Sequence, residues 1–232
     1  AGACEGEGEG EGEGEGEGEG EGEGEGEGEG EGECADPKFI GENCDQCASP
    51  FYGGAACDQP IPIYVDNLDD GEKGTGAEDD PFRDLQEAID AAPDGFTLYL
   101  RPGTFDAIAQ PYADPGCGNC DDATFADGAQ ATRGFLIQGK ALHLVGAGQD
   151  QTVLNTGAGY GLLFDDAGES SVRSLKVTGG LRDADGQATD AGIVVRFTTL
   201  IVEDVAVVGN DDLYQGEPDP VVGVGGIFGR EG

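Results

Sequence analysis

PFRDLQEAIDAAPDGFTLYLRPGTF, residues Pro81–Phe105, is the stretch whose reading decides the fold. With Asp80 as N-cap and Pro81 as first helical residue, its opening reads as a helix over about 81–92. At the helical rotation the side chains of Phe82, Leu85, Ile89 and Ala92 share an arc of about 80°, a single apolar face on an element too short to be stable alone. Pro93, Asp94 and Gly95 stop the helix. Phe96, Leu98 and Leu100 then alternate with Thr97 and Tyr99 at the period of a strand, and Pro102-Gly103 turns the chain. A short helix that must bury one face, followed at once by a strand, predicts a lid over the first turn of a repeated β structure.

Downstream, the repeat is visible. Leu142-x-Leu144-x-Gly146, Leu175-x-Val177-x-Gly179 and Val205-x-Val207-x-Gly209 recur at 33 and 30 residues, and Leu162-x-Phe164, Ile193-x-Val195 and Ile227-x-Gly229 at 31 and 34. Each turn thus supplies at least two short strands with alternate side chains inward, stacked in parallel on the next turn. Superposing the turns places Arg173 over Glu203 at a strand spacing of about 4.8 Å, an exposed pair worth under about 1 kcal/mol. It also stacks His143, Lys176 and Ala206 outward, so His143 reads as a solvent-facing strand residue. The stretches 181–191 and 211–224 exceed what a tight turn needs and read as projecting loops, where binding residues usually sit.

Upstream, Ile61, Ile63 and Val65 alternate with Pro62 and Tyr64 as an entry strand, followed by an acidic turn. The turn is not an EF-hand, because Leu68 and Ala77 would stand where that loop needs oxygen ligands. A looser calcium site at Asp66, Asp69 and Asp70 stays open beside a solvated loop. IYVD, then GTG, then PFRDLQEAIDAAPDGFTLYLRPGTF resembles the entry segment of right-handed parallel β-helix proteins of the pectin-lyase-like superfamily, including uncharacterised bacterial surface members. The resemblance implies that the helix caps the open N-terminal end of a β-solenoid filling residues 60–232. It is silent on function, since lyases, hydrolases, esterases and non-catalytic surface proteins share the fold.

Residues 34–57, CADPKFIGENCDQCASPFYGGAAC, carry four of the seven cysteines as C-x9-C-x2-C-x9-C. Crowding of this kind in a short segment points to disulfides and an oxidising compartment, with metal binding as the alternative. The pattern resembles the second half of a laminin-type EGF module over residues 34–59, although Gly32 stands where that family has a cysteine. The resemblance implies the pairs Cys34–Cys44 and Cys47–Cys57, leaving Cys4 without an assigned partner. Cys117-Gly-Asn-Cys120 reads as a loop-closing disulfide, since the flanking Asp121 and Asp122 would raise the thiol pKa that redox chemistry needs lowered. Ahead of all this, residues 1–33 are dominated by an uninterrupted Glu-Gly alternation. With nothing to bury and carboxylates that repel one another, this tract reads as a disordered tether.

The charge balance of 11 basic against 49 acidic residues, −38 in 232, makes nucleic acid and anionic membranes unlike partners. No apolar run approaches the roughly 20 residues that cross a bilayer. The absence of Met and a final strand that breaks off at Gly232 read as a fragment.

Catalytic constellations are sparse. No Gly-His-Gly of a polygalacturonase-type hydrolase occurs, and no lyase motif matches. Gly146-Ala-Gly-Gln-Asp-Gln-Thr152 fits the G-x-G-x-x-x-T turn of pectin-methylesterase-like proteins, whose later Gln and Asp motifs are absent. Asn210-Asp211-Asp212 sets two carboxylates at a strand end where a general acid and base could stand, and Arg173, Arg196, Asp204 and Asp211 are available for the arginine base and calcium-holding aspartates a lyase would need. The resulting expectation is a mainly β extracellular or cell-surface protein. It is a right-handed parallel β-helix with an N-terminal capping helix, needs no cofactor, and binds a polysaccharide or cell-surface glycan. Loop residues Asp183, Asp185, Asp211 and Asp212 supply polar contacts and Tyr214 a stacking platform. The competing expectation is a polysaccharide-active enzyme using Asp211, Asp212 and Arg196, or catalytic turns beyond Gly232.

Overall fold

The computed structural model describes residues 34–68, 73–114, 129–181, 191–210 and 225–230. In chain order the elements are β1 (Phe39–Ile40), β2 (Gln46–Cys47), β3 (Tyr52–Gly53), β4 (Gln59–Pro60), β5 (Ile63–Val65), α1 (Leu85–Ala91), β6 (Phe96–Leu100) and β7 (Gly103–Asp106). They continue with β8 (Gln110–Asp114), β9 (Ala129–Gln138), β10 (Leu142–Val145), β11 (Thr152–Asn155), β12 (Tyr160–Thr178), β13 (Ala191–Val207) and β14 (Ile227–Arg230).

Among the described residues the chain is mainly β, with one helix, and its large sheet is built from parallel pairs apart from the antiparallel β8–β9. The pairs fall into three ladders. In the first, β5, β6, β10 and the middles of β12 and β13 align Ile63, Leu98, Leu144, Val172 and Val202. In the second, β7, β11 and the ends of β12 and β13 align Phe105, Leu154, Val177 and Val207. In the third, β9, the starts of β12 and β13, and β14 align Phe135, Leu162, Ile193 and Ile227. The buried members of these columns meet in one apolar cluster, as period-two alternation requires when each ladder turns one face inward.

The long strands β12 and β13 serve all three ladders by bending at left-handed residues. Asp166 (φ 50°) and Phe197 (φ 47°) bend between the third and first ladders; Ser174 (φ 52°) and Asp204 (φ 52°) bend between the first and second. Aspartate tolerates this region through local hydrogen bonding, whereas Phe197 is held there by the pairing on either side.

The Arg173–Glu203 pair forms, with Arg173 Nε 3.1 Å from Glu203 Oε2. The 31- and 34-residue intervals match the third-ladder register, and the 30-residue interval matches the second. The 33-residue interval does not correspond to a pairing. Leu144 lies against Val172 rather than Val177, because the chain crosses from the first to the second ladder through the Gly146–Gln151 turn between β10 and β11, and through the single residue Ser174 within β12. His143 is therefore stacked between Thr97 and Ser171, not on Lys176.

The helix is also shorter than its periodicity predicts. Asp84, not Asp80, is the N-cap, its Oδ1 accepting from Glu87 N at 2.7 Å. Phe82 is drawn into extended backbone, where its N–H donates to Tyr64 O and its carbonyl accepts from Asp66 N. Strand-like bonds to the entry strand outcompete a further helical turn whose donors would have no partner. Leu85, Ala88, Ile89 and Ala92 are buried in the main cluster, each large side chain worth about 1.5–3 kcal/mol.

Polar contacts seat the helix as firmly as the apolar face. The Gln86 amide pairs with both backbone groups of Leu136, at 3.0 and 2.9 Å, acting as one rung of a strand on β9. Lys140 Nζ donates to the helix-terminal carbonyls of Asp90 (2.9 Å) and Ala92 (2.7 Å). Burial beside the helix end lowers the Lys140 pKa against the opposing pull of Asp90 and Asp94. Its proton is therefore held less tightly folded than unfolded, and stability through this group rises with pH as it approaches 10.5. Lys140→Ala is expected to cost about 1 kcal/mol, seen as a fall of roughly 2–4 °C in melting temperature at neutral pH.

Before the sheet, two small antiparallel pairs, β1–β2 and β3–β4, repeat one design. Cys34–Cys44 closes the first and Cys47–Cys57 the second, with Cα separations of 5.6 and 5.4 Å. The edges of Phe51 and Tyr52 rest on Phe96, at centroid distances of 6.4 and 5.2 Å, joining this segment to the core.

Candidate functional site

On the third ladder, inward residues alternate with Leu163 and Val194, which belong to a second, smaller apolar cluster with Tyr160. Two residues beyond Leu163 and Val194, the register brings Gln138, Asp165 and Arg196 side by side on neighbouring strands. Tyr112 reaches the same column from β8, which the antiparallel pairing with β9 lays beside it. Arg196 Nη1 donates to Tyr112 Oη at 2.9 Å, and the phenol donates onward to Asp165 Oδ2 at 3.0 Å. Gln138 Nε2 donates to the same oxygen at 2.8 Å.

The arrangement is a chain of guanidinium, phenol and carboxylate, in which each hydrogen bond polarises the next. Arg196 is 8% exposed and lies beside the Phe197 ring, 5.8 Å from its centroid, so its charge is held largely out of water. Asp165 is only half-buried. Oδ2 takes both donors, which leaves Oδ1 as an acceptor for a hydroxyl or amide from outside.

Of the residues the sequence singled out, Arg196 falls in this column. Cys4, Asp69, Asp70, Cys117, Cys120, Asp183, Asp185, Asp211, Asp212 and Tyr214 lie outside the described residues. Asp66 is buried and ion-paired with Arg101 at 3.3 Å. Among the described residues no group of three His, Cys, Asp or Glu side chains stands ready to hold a metal ion. His143 Nδ1 lies 3.0 Å from Ser171 Oγ, but that serine is 3% exposed and offers a substrate no approach.

Tyr112, Gln138 and Asp165 escaped the sequence reading, although a signal for the last two exists. Gly134-Phe-Leu-Ile-Gln138, Gly161-Leu-Leu-Phe-Asp165 and Gly192-Ile-Val-Val-Arg196 are one pattern, with the polar residue four places after each glycine. Tyr112 has no such signal, because it arrives through the antiparallel β8–β9 pair of the large sheet.

No family model matches this chain, and no curated protein matches it. In structure it is similar to an alanine variant of a pectin methylesterase crystallised with a hexasaccharide, at 17% identity and a TM-score of 0.39. The likeness covers 63% of this chain and 43% of that one, so the chain spans under half the length of that enzyme. No helix among the described residues is long and apolar enough to cross a membrane.

Proposed function

We propose that this chain is an extracellular or cell-surface protein that binds a polysaccharide along the Gln138–Asp165–Arg196 column. In this reading the three ladders are the coils of a right-handed parallel β-helix, α1 is its N-terminal cap, and the disulfide-closed pairs are a partial laminin-type EGF-like module. The column is the observation that carries the reading. Amide, carboxylate and guanidinium side chains stand in line at the strand repeat of about 4.8 Å, as a linear polymer of hydroxyl-bearing units would need. Two disulfides support an oxidising, extracellular setting. The loop residues Asp183, Asp185, Asp211, Asp212 and Tyr214 are further contacts in this proposal.

Affinity electrophoresis through gels containing neutral or uronate polysaccharides tests it. Retardation of the full chain by at least one polymer is expected, with a roughly tenfold or greater weakening in Asp165→Ala, about 1.4 kcal/mol. An Asp165→Ala protein retarded like the wild type, with an unchanged circular dichroism spectrum, would remove the column from the binding site.

A second reading is favoured by one contact: a carboxylate hydrogen-bonded to a phenol that is itself hydrogen-bonded to a guanidinium is a reactive combination as well as a binding one. In that reading the protein is a polysaccharide-active enzyme. It requires release of reducing ends, unsaturated product or alcohol from a polymer, lost in Asp165→Asn.

A further inference from the structure

The two disulfide-closed units ahead of the sheet are built alike and placed differently. In each, a glycine of positive φ (Gly41, 92°; Gly54, 80°) stands three residues before a cysteine that is itself left-handed (Cys44, 51°; Cys57, 48°). The cysteine N–H donates to that glycine's carbonyl, at 3.1 Å in the first unit and 3.2 Å in the second. Each disulfide joins residues ten apart in sequence.

Their surroundings are not alike. In the first unit Ile40 is 49% exposed, and among the described residues neither it nor Phe39 packs against a core cluster. In the second, Phe51 and Tyr52 pack against the main cluster, Ile61 N donates to Phe51 O at 2.9 Å, and Cys57 is buried.

The seat of the two rings is Phe96, the first residue of β6. On one side Phe96 pairs with Leu142 of β10, whereas the register of β5 on the other side reaches only Leu98–Leu100. The edges of Phe51 and Tyr52 meet Phe96, which is buried in the same cluster as Ile89 and Ala92. The rings therefore finish a wall that strand pairing leaves open. The β3–β4 pairing consists of Tyr52 with Pro60 and Gly53 with Gln59, and a two-stranded ribbon of that length is not stable by itself. The covalent link is what keeps it closed over Phe96.

We propose that Cys47–Cys57 is a redox-sensitive clasp on the core: opening this disulfide, and not Cys34–Cys44, lifts Phe51 and Tyr52 from Phe96. The reductant is a dithiol. One of its thiolates attacks the sulfur of Cys47, the less buried cysteine of the pair, and Cys57 leaves as a thiolate that takes up a proton. The second thiol, once deprotonated, displaces Cys47 from the mixed disulfide. Two electrons and two protons pass to the protein, and the reagent departs as a cyclic disulfide.

Melting curves and hydrogen exchange on the full chain test the clasp. Cys47→Ser/Cys57→Ser is expected to lower the melting temperature by roughly 3–6 °C and to speed amide exchange in the peptide carrying Ile61 about tenfold or more. Cys34→Ser/Cys44→Ser is expected to shift it by less than about 1 °C. Phe51→Ala/Tyr52→Ala, with both disulfides intact, should reproduce the larger fall, and combining it with Cys47→Ser/Cys57→Ser should add nothing, because both changes act on one contact. Dithiothreitol applied to the folded wild type should make Cys57 reactive toward iodoacetamide. Equal falls for the two cysteine pairs, additive falls in the combined variant, no fall in Cys47→Ser/Cys57→Ser, or a Cys57 that stays unreactive would each overturn the proposal.

Discussion

Ile89→Asp is expected to abolish the folded state of the sheet domain. Ile89 is 1% exposed in the cluster that holds Leu85, Leu98, Phe105 and Phe135, so the substitution removes about 2–3 kcal/mol of apolar burial. It then demands that a carboxyl group be buried among hydrocarbon side chains without a partner, at a further cost of several kcal/mol even when the group takes up a proton. Together these approach the whole stability of an ordinary domain, about 5–15 kcal/mol. Loss of the cooperative thermal transition and of the β-type circular dichroism signal is the expected measurement. Ile89→Val, which keeps the face apolar, should cost only about 1 kcal/mol. If Ile89→Asp melts within a few degrees of wild type, the helix face is an ornament on the sheet and not part of its core.

Gly161→Ala should produce the second largest loss, for a reason unrelated to backbone freedom. Gly134, Gly161 and Gly192 fall at the same register position on three successive strands of the third ladder. A Cβ at Gly161 would lie 2.5 Å from Gly192 O and 2.7 Å from Thr156 Oγ1, and one at Gly134 would lie 2.4 Å from Gly161 O. Backbone oxygens cannot swing aside as a side-chain tip can, so the methyl group must push the strands apart along the ladder. A cost of about 3 kcal/mol is expected, read as a fall of roughly 6–12 °C in melting temperature. A shift below about 2 °C would mean that the three strands do not approach as closely as the register implies.

The two predictions differ in how far each could be seen in the sequence. Ile89 was visible as part of an apolar face because the helical period is local: Leu85, Ile89 and Ala92 need only their own spacing to be recognised. The start of the helix was not visible. Asp80-Pro81 and Asp84 are both good N-terminal signals, and the choice between them was made by Tyr64 and Asp66, distant in sequence, whose backbone groups claim Phe82 for extended structure.

The register was read where the crossings between ladders consume equal numbers of residues and misread where they do not. Leu162/Ile193/Ile227 and Leu175/Val205 could be aligned from their spacing alone, which matches the strand register. Leu144 was set against Val177 because nothing in the string of residues says that Gly146–Gln151 and Ser174 turn the same corner. The candidate column was hidden for the same reason. Gln138, Asp165 and Arg196 are unlike in chemistry and spaced at unequal intervals, and become one feature only when the glycines ahead of them are stacked.

By itself, then, the sequence determined the class of the protein. Period-two alternation dictates strands, recurring apolar pairs dictate stacking, a one-faced helix between an entry strand and β6 dictates a lid, and clustered cysteines dictate a covalently closed segment ahead of the sheet. These follow from interactions between residues a few places apart, or from patterns that repeat. Only the tertiary structure decided which residues become neighbours across elements: Gln86 against Leu136, and Tyr112 between Arg196 and Asp165. Such contacts depend on the number of residues each corner consumes. A one-residue slip on a strand sends every side chain to the opposite face, so register had to be settled by packing before any site could exist.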